Sequence, residues 1–234
     1  MHTHSLAALL LAPFAIAQDT VTLHSVTVLA NNDVTVVYSK NFATCAHMRF
    51  SNATCTQNGP LTHTQNWFCT QGSQISITLP GTAFLASFGP GTPVFMVHGN
   101  NGGVASPCVT VGCNGAYGTG CAGAFGIPTL MTSSDCPANG TTLDFHLHNG
   151  FPSSVAVLGL GFTQANLPVL GCNLLISPVV GTIAVFFDGM GHGTFPFALP
   201  VGSGGATFTA QAFTIDAGGP QGFAATNARL IRVL

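Results

Sequence analysis

The chain has 234 residues, with four basic and six acidic side chains, 47% apolar residues, 29 Gly, 14 Pro and a formal net charge of −2. An average globular chain is about a quarter charged, so 4% excludes a nucleic-acid binder, which neutralises phosphates with Lys and Arg. It equally excludes a highly charged disordered tail. Every acidic residue is an Asp and Lys40 is the only lysine, which leaves acid–base catalysis few groups to draw on.

Leu6 to Ala17 reads LAALLLAPFAIA, an apolar run that ends in the small-x-small triplet Ala15-Ile16-Ala17. This pattern predicts a secretory signal peptide over residues 1–17, with His2 and His4 standing where Lys or Arg is usual, and a mature chain from Gln18. The run is too short to span a bilayer, and no later run reaches the required length without Gly, Pro or polar breaks, so no transmembrane anchor is expected. The predicted location is extracellular or at the cell surface. Eight cysteines follow: Cys45, Cys55, Cys69, Cys108, Cys113, Cys121, Cys136 and Cys172. An even number in an exported chain predicts disulfides. Local pairing within Cys45, Cys55 and Cys69 and a long closure from Cys121 or Cys136 to Cys172 are expected among many connectivities.

Beyond the signal no stretch keeps an apolar period of 3.6 for three turns, whereas several alternate with period two, so the fold is predicted to be all-β. Ile75, Ile77 and Leu79 share one face of QISITL, as Leu143, Phe145 and Leu147 do in TTLDFHLH and Phe195, Phe197 and Leu199 in GTFPFALP. PVFMV (93–97), SVAVLGL (154–160) and TIAVFF (182–187) are continuous enough to be covered on both faces. Gly and Pro clusters punctuate these runs at the rhythm of antiparallel sheets joined by tight turns. The Gly-rich stretch after Cys108 marks a boundary. Residues 18–111 are predicted to form an immunoglobulin-like sandwich, 112–116 a linker, and 117–234 a second antiparallel sandwich of β-sandwich or jelly-roll type.

YGTGCAG (117–123), Gly171-Cys172 before LLISP, and the closing QAFTIDAGGPQGFAATNARLIRVL together resemble a C-terminal domain of secreted planctomycete-type bacterial proteins. Gln211, Asp216, Gly218, Gly219, Pro220, Gly222, Asn227 and Leu230 fit the ending of that pattern. The resemblance covers most of 117–234 and implies an exported β-sandwich with no established activity.

Several constellations carry chemistry in principle. Gly118-x-Gly120-x-x-Gly123 mimics a dinucleotide fingerprint, but Gly126 and Pro128 interrupt the helix that would have to follow. PVFMVHGNNGG resembles the strand and His-Gly segment of α/β-hydrolases, yet no Gly-x-Ser-x-Gly elbow occurs. Cys45, His47, Cys55, His63 and Cys69 gather soft ligands without a Cys-x-x-Cys clip, so disulfides are expected there rather than metal. Asp144, His146 and His148 project from one face of one strand, about 6.5–7 Å apart at successive positions, and His192 is the candidate neighbour for a metal. Period-two alternation alone also accounts for that row as a solvent-facing polar face.

These readings predict a non-catalytic secreted or cell-surface protein of structural or adhesive type, with no cofactor and with a cell-envelope or extracellular polymer as partner. The first alternative is a carbohydrate-binding module presenting Trp67, Tyr38 and Tyr117 to sugar rings. The second is a secreted metal-dependent hydrolase built on His146, His148 and His192.

Overall fold

A computed structural model describes residues 19–50, 68–85, 88–98 and 106–234, and the predicted signal peptide lies outside them. The described residues are almost entirely β, with a short α-helix and one 3-10 turn at Pro220–Gly222. In the first half, β1 (Val21–Leu29), β2 (Val34–Lys40) and β4 (Gly72–Leu79) form a sheet in the order β4-β2-β1. Facing it, β3 (Ala46–Phe50), β5 (Pro93–His98) and β6 (Val109–Thr110) pair as β3-β5-β6, and α1 (Gly81–Leu85) connects β4 to β5. Named A, B, C, E, F and G in chain order, these strands place A, B and E opposite C, F and G, the immunoglobulin arrangement. Val26, Val28, Val34, Val36, Met48, Val94 and Met96 meet between the sheets, with Phe68, Phe84 and Phe88 closing the core.

Local sequence explains the pairing. In VTLHSVTV the apolar alternation slips by one residue, and a register shift between Leu23 and Ser25 absorbs the slip. Val21 and Leu23 on one side of this bulge and Val26 and Val28 on the other therefore all face inward.

The segment read as a linker is built into both halves. β7 (Gly112–Asn114) runs parallel to β1, and β8 (Ala116–Tyr117) pairs with the last strand, β15 (Phe223–Arg232). β9 (Thr129–Thr132), β10 (Thr142–His148) and β13 (Gly193–Ala198) form one sheet, β13-β10-β9. β11 (Val155–Val169), β12 (Cys172–Phe186) and β14 (Thr207–Ile215) complete the other, β12-β11-β14-β15-β8. The two sheets, of three and five strands, form the second antiparallel β-sandwich expected from the sequence. Leu143, Phe145 and Leu147 are fully buried against Ala156, Leu158, Ala210, Ala212 and Ile231.

The residues that carried the family resemblance have structural roles here. Gln211, buried, accepts from Leu175 N at 2.7 Å and donates to the Asn173 and Thr226 carbonyls, both at 3.0 Å. Buried Asp216 accepts from Ala124 N and Gly218 N, and a Cβ on Gly123 would collide with its carboxylate. Asn227 takes the Leu130 amide at 2.9 Å. Gly120 and Gly123 of YGTGCAG thus allow close packing onto β15 and the turn before it, and Gly118 onto Leu175.

Disulfides join Cys45 to Cys69, Cys113 to Cys136 and Cys121 to Cys172, and Cys108 is also disulfide-bonded. The local pairing and the long closure expected from the sequence are both present. Cys55 lies outside the described residues. No helix among the described residues is long and apolar enough to cross a membrane.

Candidate functional site

The most distinctive surface is the β11–β12 hairpin. Val157 and Val169 line one groove, although a straight strand would hold residues twelve apart about 40 Å from each other. The hairpin therefore doubles back over the outer face of its own sheet. Register shifts at Leu160/Gly161 and Gln164/Leu167 supply the bend. The Cys121–Cys172 bridge and the Leu175–Gln211 hydrogen bond pin the tip. Between tip and sheet lies a cavity of about 300 Å³, walled by Val157, Leu174, Ile176, Val179 and Phe213 among others. Its one amide, Gln211, spends both ends on the backbone, so the groove offers apolar contact and little else.

Among the described residues β12 is also the end strand of its sheet, and a free edge presents a row of unpaired N–H and C=O groups. Val180 is 53% and Phe186 77% exposed on it. No Asp, Glu, Lys or Arg occurs from Phe145 to Phe187. The expectation that 154–160 and 182–187 are covered on both faces is corrected here. Ala156, Leu158, Val185 and Phe187 are buried, while Val157 and Phe186 face outward. A continuous apolar run fits a two-sided strand equally well whether or not anything covers its second face.

The aromatic candidates diverge. Tyr38 is 0% exposed, edge-on to Phe68, with its hydroxyl donating to the Thr70 carbonyl at 3.3 Å, so no sugar ring can reach it. Burial raises its pKa. Its place in VTVVYSK, in phase with inward Val34 and Val36, was the signal for a core position. Tyr117 is half-buried and donates to the Leu175 carbonyl at 3.0 Å, and burial pushes its phenol up to about 12. It borders a cavity of about 310 Å³ with Thr119, Asn166 and Asn173. Trp67 lies outside the described residues.

Of the predicted metal row, the structure brings His148 and His192 together, their ring centroids 5.0 Å apart. His146 sits one row along, its Nδ1 3.3 Å from Thr194 Oγ1. Asp144 lies opposite Pro196, a further row away. Among the described residues no three His, Cys, Asp or Glu side chains converge on a common point. Asp188 lies two residues beyond the end of β12, and the amides of His192 and Met190 hold its carboxyl below the usual carboxylate range.

No family model and no curated protein matches the chain. Among solved structures it is similar to trypsin-activated alpha-2-macroglobulin from Escherichia coli, at 10% identity and TM-score 0.31 over 92% of this chain and 17% of that one. It is similar to a tetra-tandem repeat in the extending region of a large adhesion protein at 13% identity and TM-score 0.27, over 91% of this chain and 48% of that one. For the chicken interferon gamma receptor alpha chain the values are 11%, 0.28, 94% and 99%. The chain thus spans less than half the length of the first two. The strand order, not these remote likenesses, defines the fold.

Proposed function

We propose that this is a non-catalytic extracellular or cell-surface protein of structural or adhesive type, whose copies contact one another through the uncharged β11–β12 hairpin. Four disulfide-bonded positions in 113–172, together with Cys45, Cys69 and Cys108, suit an oxidising compartment. The scarce charges serve the framework. Lys40 donates to the Phe42 and Cys69 carbonyls at 2.9 and 3.0 Å, Arg229 pairs with Asp135 at 3.0 Å, and Arg232 holds the junction between the halves.

The observation that carries the reading is the exposed, charge-free edge of β12. Soluble proteins usually blunt such edges with charged side chains or cover them. Two identical edges without charge approach each other unopposed, and a two-fold pairing of β12 with β12 of a second copy satisfies the same patch on both. That pairing would bring Val180 and Phe186 against the second copy and merge two five-stranded sheets into one closed dimer. Sedimentation velocity over a concentration series tests it. The unaltered protein should shift towards twice the monomer mass, and Val180→Asp or Phe186→Asp should restore the monomer. A protein monomeric at every concentration would overturn the reading.

Carbohydrate binding remains the second reading, favoured by the Tyr117 cavity, where an aromatic wall faces the neighbourhood of Asn166 and Asn173. Binding on a glycan array that Asn166→Ala abolishes would support it; binding unaffected by that change would remove the cavity from consideration.

A further inference from the structure

We propose that His148 and His192 form a surface binding site for a divalent transition-metal ion, with Cu²⁺ the preferred occupant. The two residues end neighbouring strands. β10 and β13 are paired antiparallel as far as Leu147 and Gly193, and the next rung places His148 beside His192. Because Leu143, Phe145 and Leu147 point into the core, the alternate side chains His146 and His148 point outward. The rings of His148 and His192 lie 5.0 Å apart at 71° to one another, a separation that lets one ion bridge a nitrogen from each.

The backbone beneath the pair is locked before any ion arrives. Gly150 N donates to the Gly191 carbonyl at 3.0 Å, and a Cβ on Gly191 would collide with the Gly150 carbonyl, so the two turns interlock. Asp188 fastens the second turn twice: its Oδ1 accepts from His192 N at 2.9 Å, and its own amide donates to the His192 carbonyl at 2.8 Å. A ligand pair held this way loses little freedom on binding.

Ligand chemistry selects the ion. Two imidazoles with no thiolate or carboxylate converging on the same point suit Cu²⁺, Ni²⁺ or Zn²⁺ rather than Ca²⁺ or Mg²⁺, and Cu²⁺ heads the affinity order for such nitrogen donors. Water fills the remaining positions. One row along the same face, Met131 lies opposite His146, so the sheet gathers three imidazoles and a thioether on its outer surface.

The test is calorimetric titration of the full untagged chain, purified without chelator, with CuCl₂ and then ZnCl₂, accompanied by electron paramagnetic resonance of the copper form. One equivalent of Cu²⁺ with nitrogen hyperfine structure is expected, and Zn²⁺ should bind more weakly. His148→Ala and His192→Ala should each lose that equivalent. His24→Ala, whose imidazole meets Ser39 on the first sandwich, should keep it. Absence of a stoichiometric equivalent, or binding unchanged in both His148→Ala and His192→Ala, would overturn the proposal.

Discussion

Arg232 donates through Nη2 to the Leu29 carbonyl at 2.9 Å and to Asn32 Oδ1 at 2.8 Å, so the last strand of the second sandwich grips the first turn of the first. Gln164 adds a bond to the neighbouring Ala30 carbonyl at 2.8 Å. Burial lowers the Arg232 pKa, against the opposing pull of Asp135, and its Nη1 is buried with no hydrogen-bond partner among the described residues. Arg232→Ala should cost about 2 kcal/mol, or about 4–8 °C in Tm for a chain of this size. Scanning calorimetry should show one transition in the unaltered protein and two in the variant, as the halves melt separately. A single, unshifted transition in Arg232→Ala would show that this contact does not couple them.

Gln211 supports the bent hairpin from below. Replacing it with Leu leaves the Leu175 amide and the Asn173 and Thr226 carbonyls without their partner, at about 1–3 kcal/mol for each buried group left unmet. Urea unfolding should show a loss of about 3 kcal/mol or more, larger than for Gln164→Leu at the exposed end of the same hairpin.

The Cys121–Cys172 bridge closes a loop with a sequence separation of 51. In the chain-entropy description a loop of that size is stabilised by about 4 kcal/mol. Changing both cysteines to Ser should lower the denaturant midpoint accordingly. It should also free the hairpin tip, so that amides of Cys172 to Leu175 exchange faster than those of Leu143 to Leu147.

The raised Tyr117 phenol gives alkaline pH a defined effect. Its folded pKa of about 12 exceeds its ordinary 10.0, so its contribution to stability is intact below pH 10 and is lost as pH rises through about 12. Phenolate absorbance of the native protein should therefore lag behind that of the unfolded chain in this window. Tyr117→Phe should remove its share of the alkaline destabilisation.

How much of this was legible in the sequence depends on the range of the interaction. Leu143, Phe145 and Leu147 are core because period-two alternation is a local property, and all three are fully buried. Tyr38, offered above to sugar rings, obeys the same rule: its phase with Val34 and Val36 outweighs the preference of tyrosine for wet surfaces, and it is fully buried. The outward faces of β11 and β12 were not, because an apolar run carries no mark of whether anything lies on its second side. Gln211, Asp216 and Asn227 stood out only as a pattern. Their partners at Leu175, Ala124 and Leu130 are 36, 92 and 97 residues away, so their roles emerge from topology alone. The meeting of His148 with His192 likewise depends on strand register across the whole β10–β13 interval.

Hydrogen exchange of β12 as a function of protein concentration tests the central claim most directly. If copies join along this edge, amides from Val179 to Phe186 become more protected as concentration rises, while those of the equally exposed stretch from Gly202 to Gly205 do not change. Exchange along β12 that is identical at low and high concentration would contradict the account.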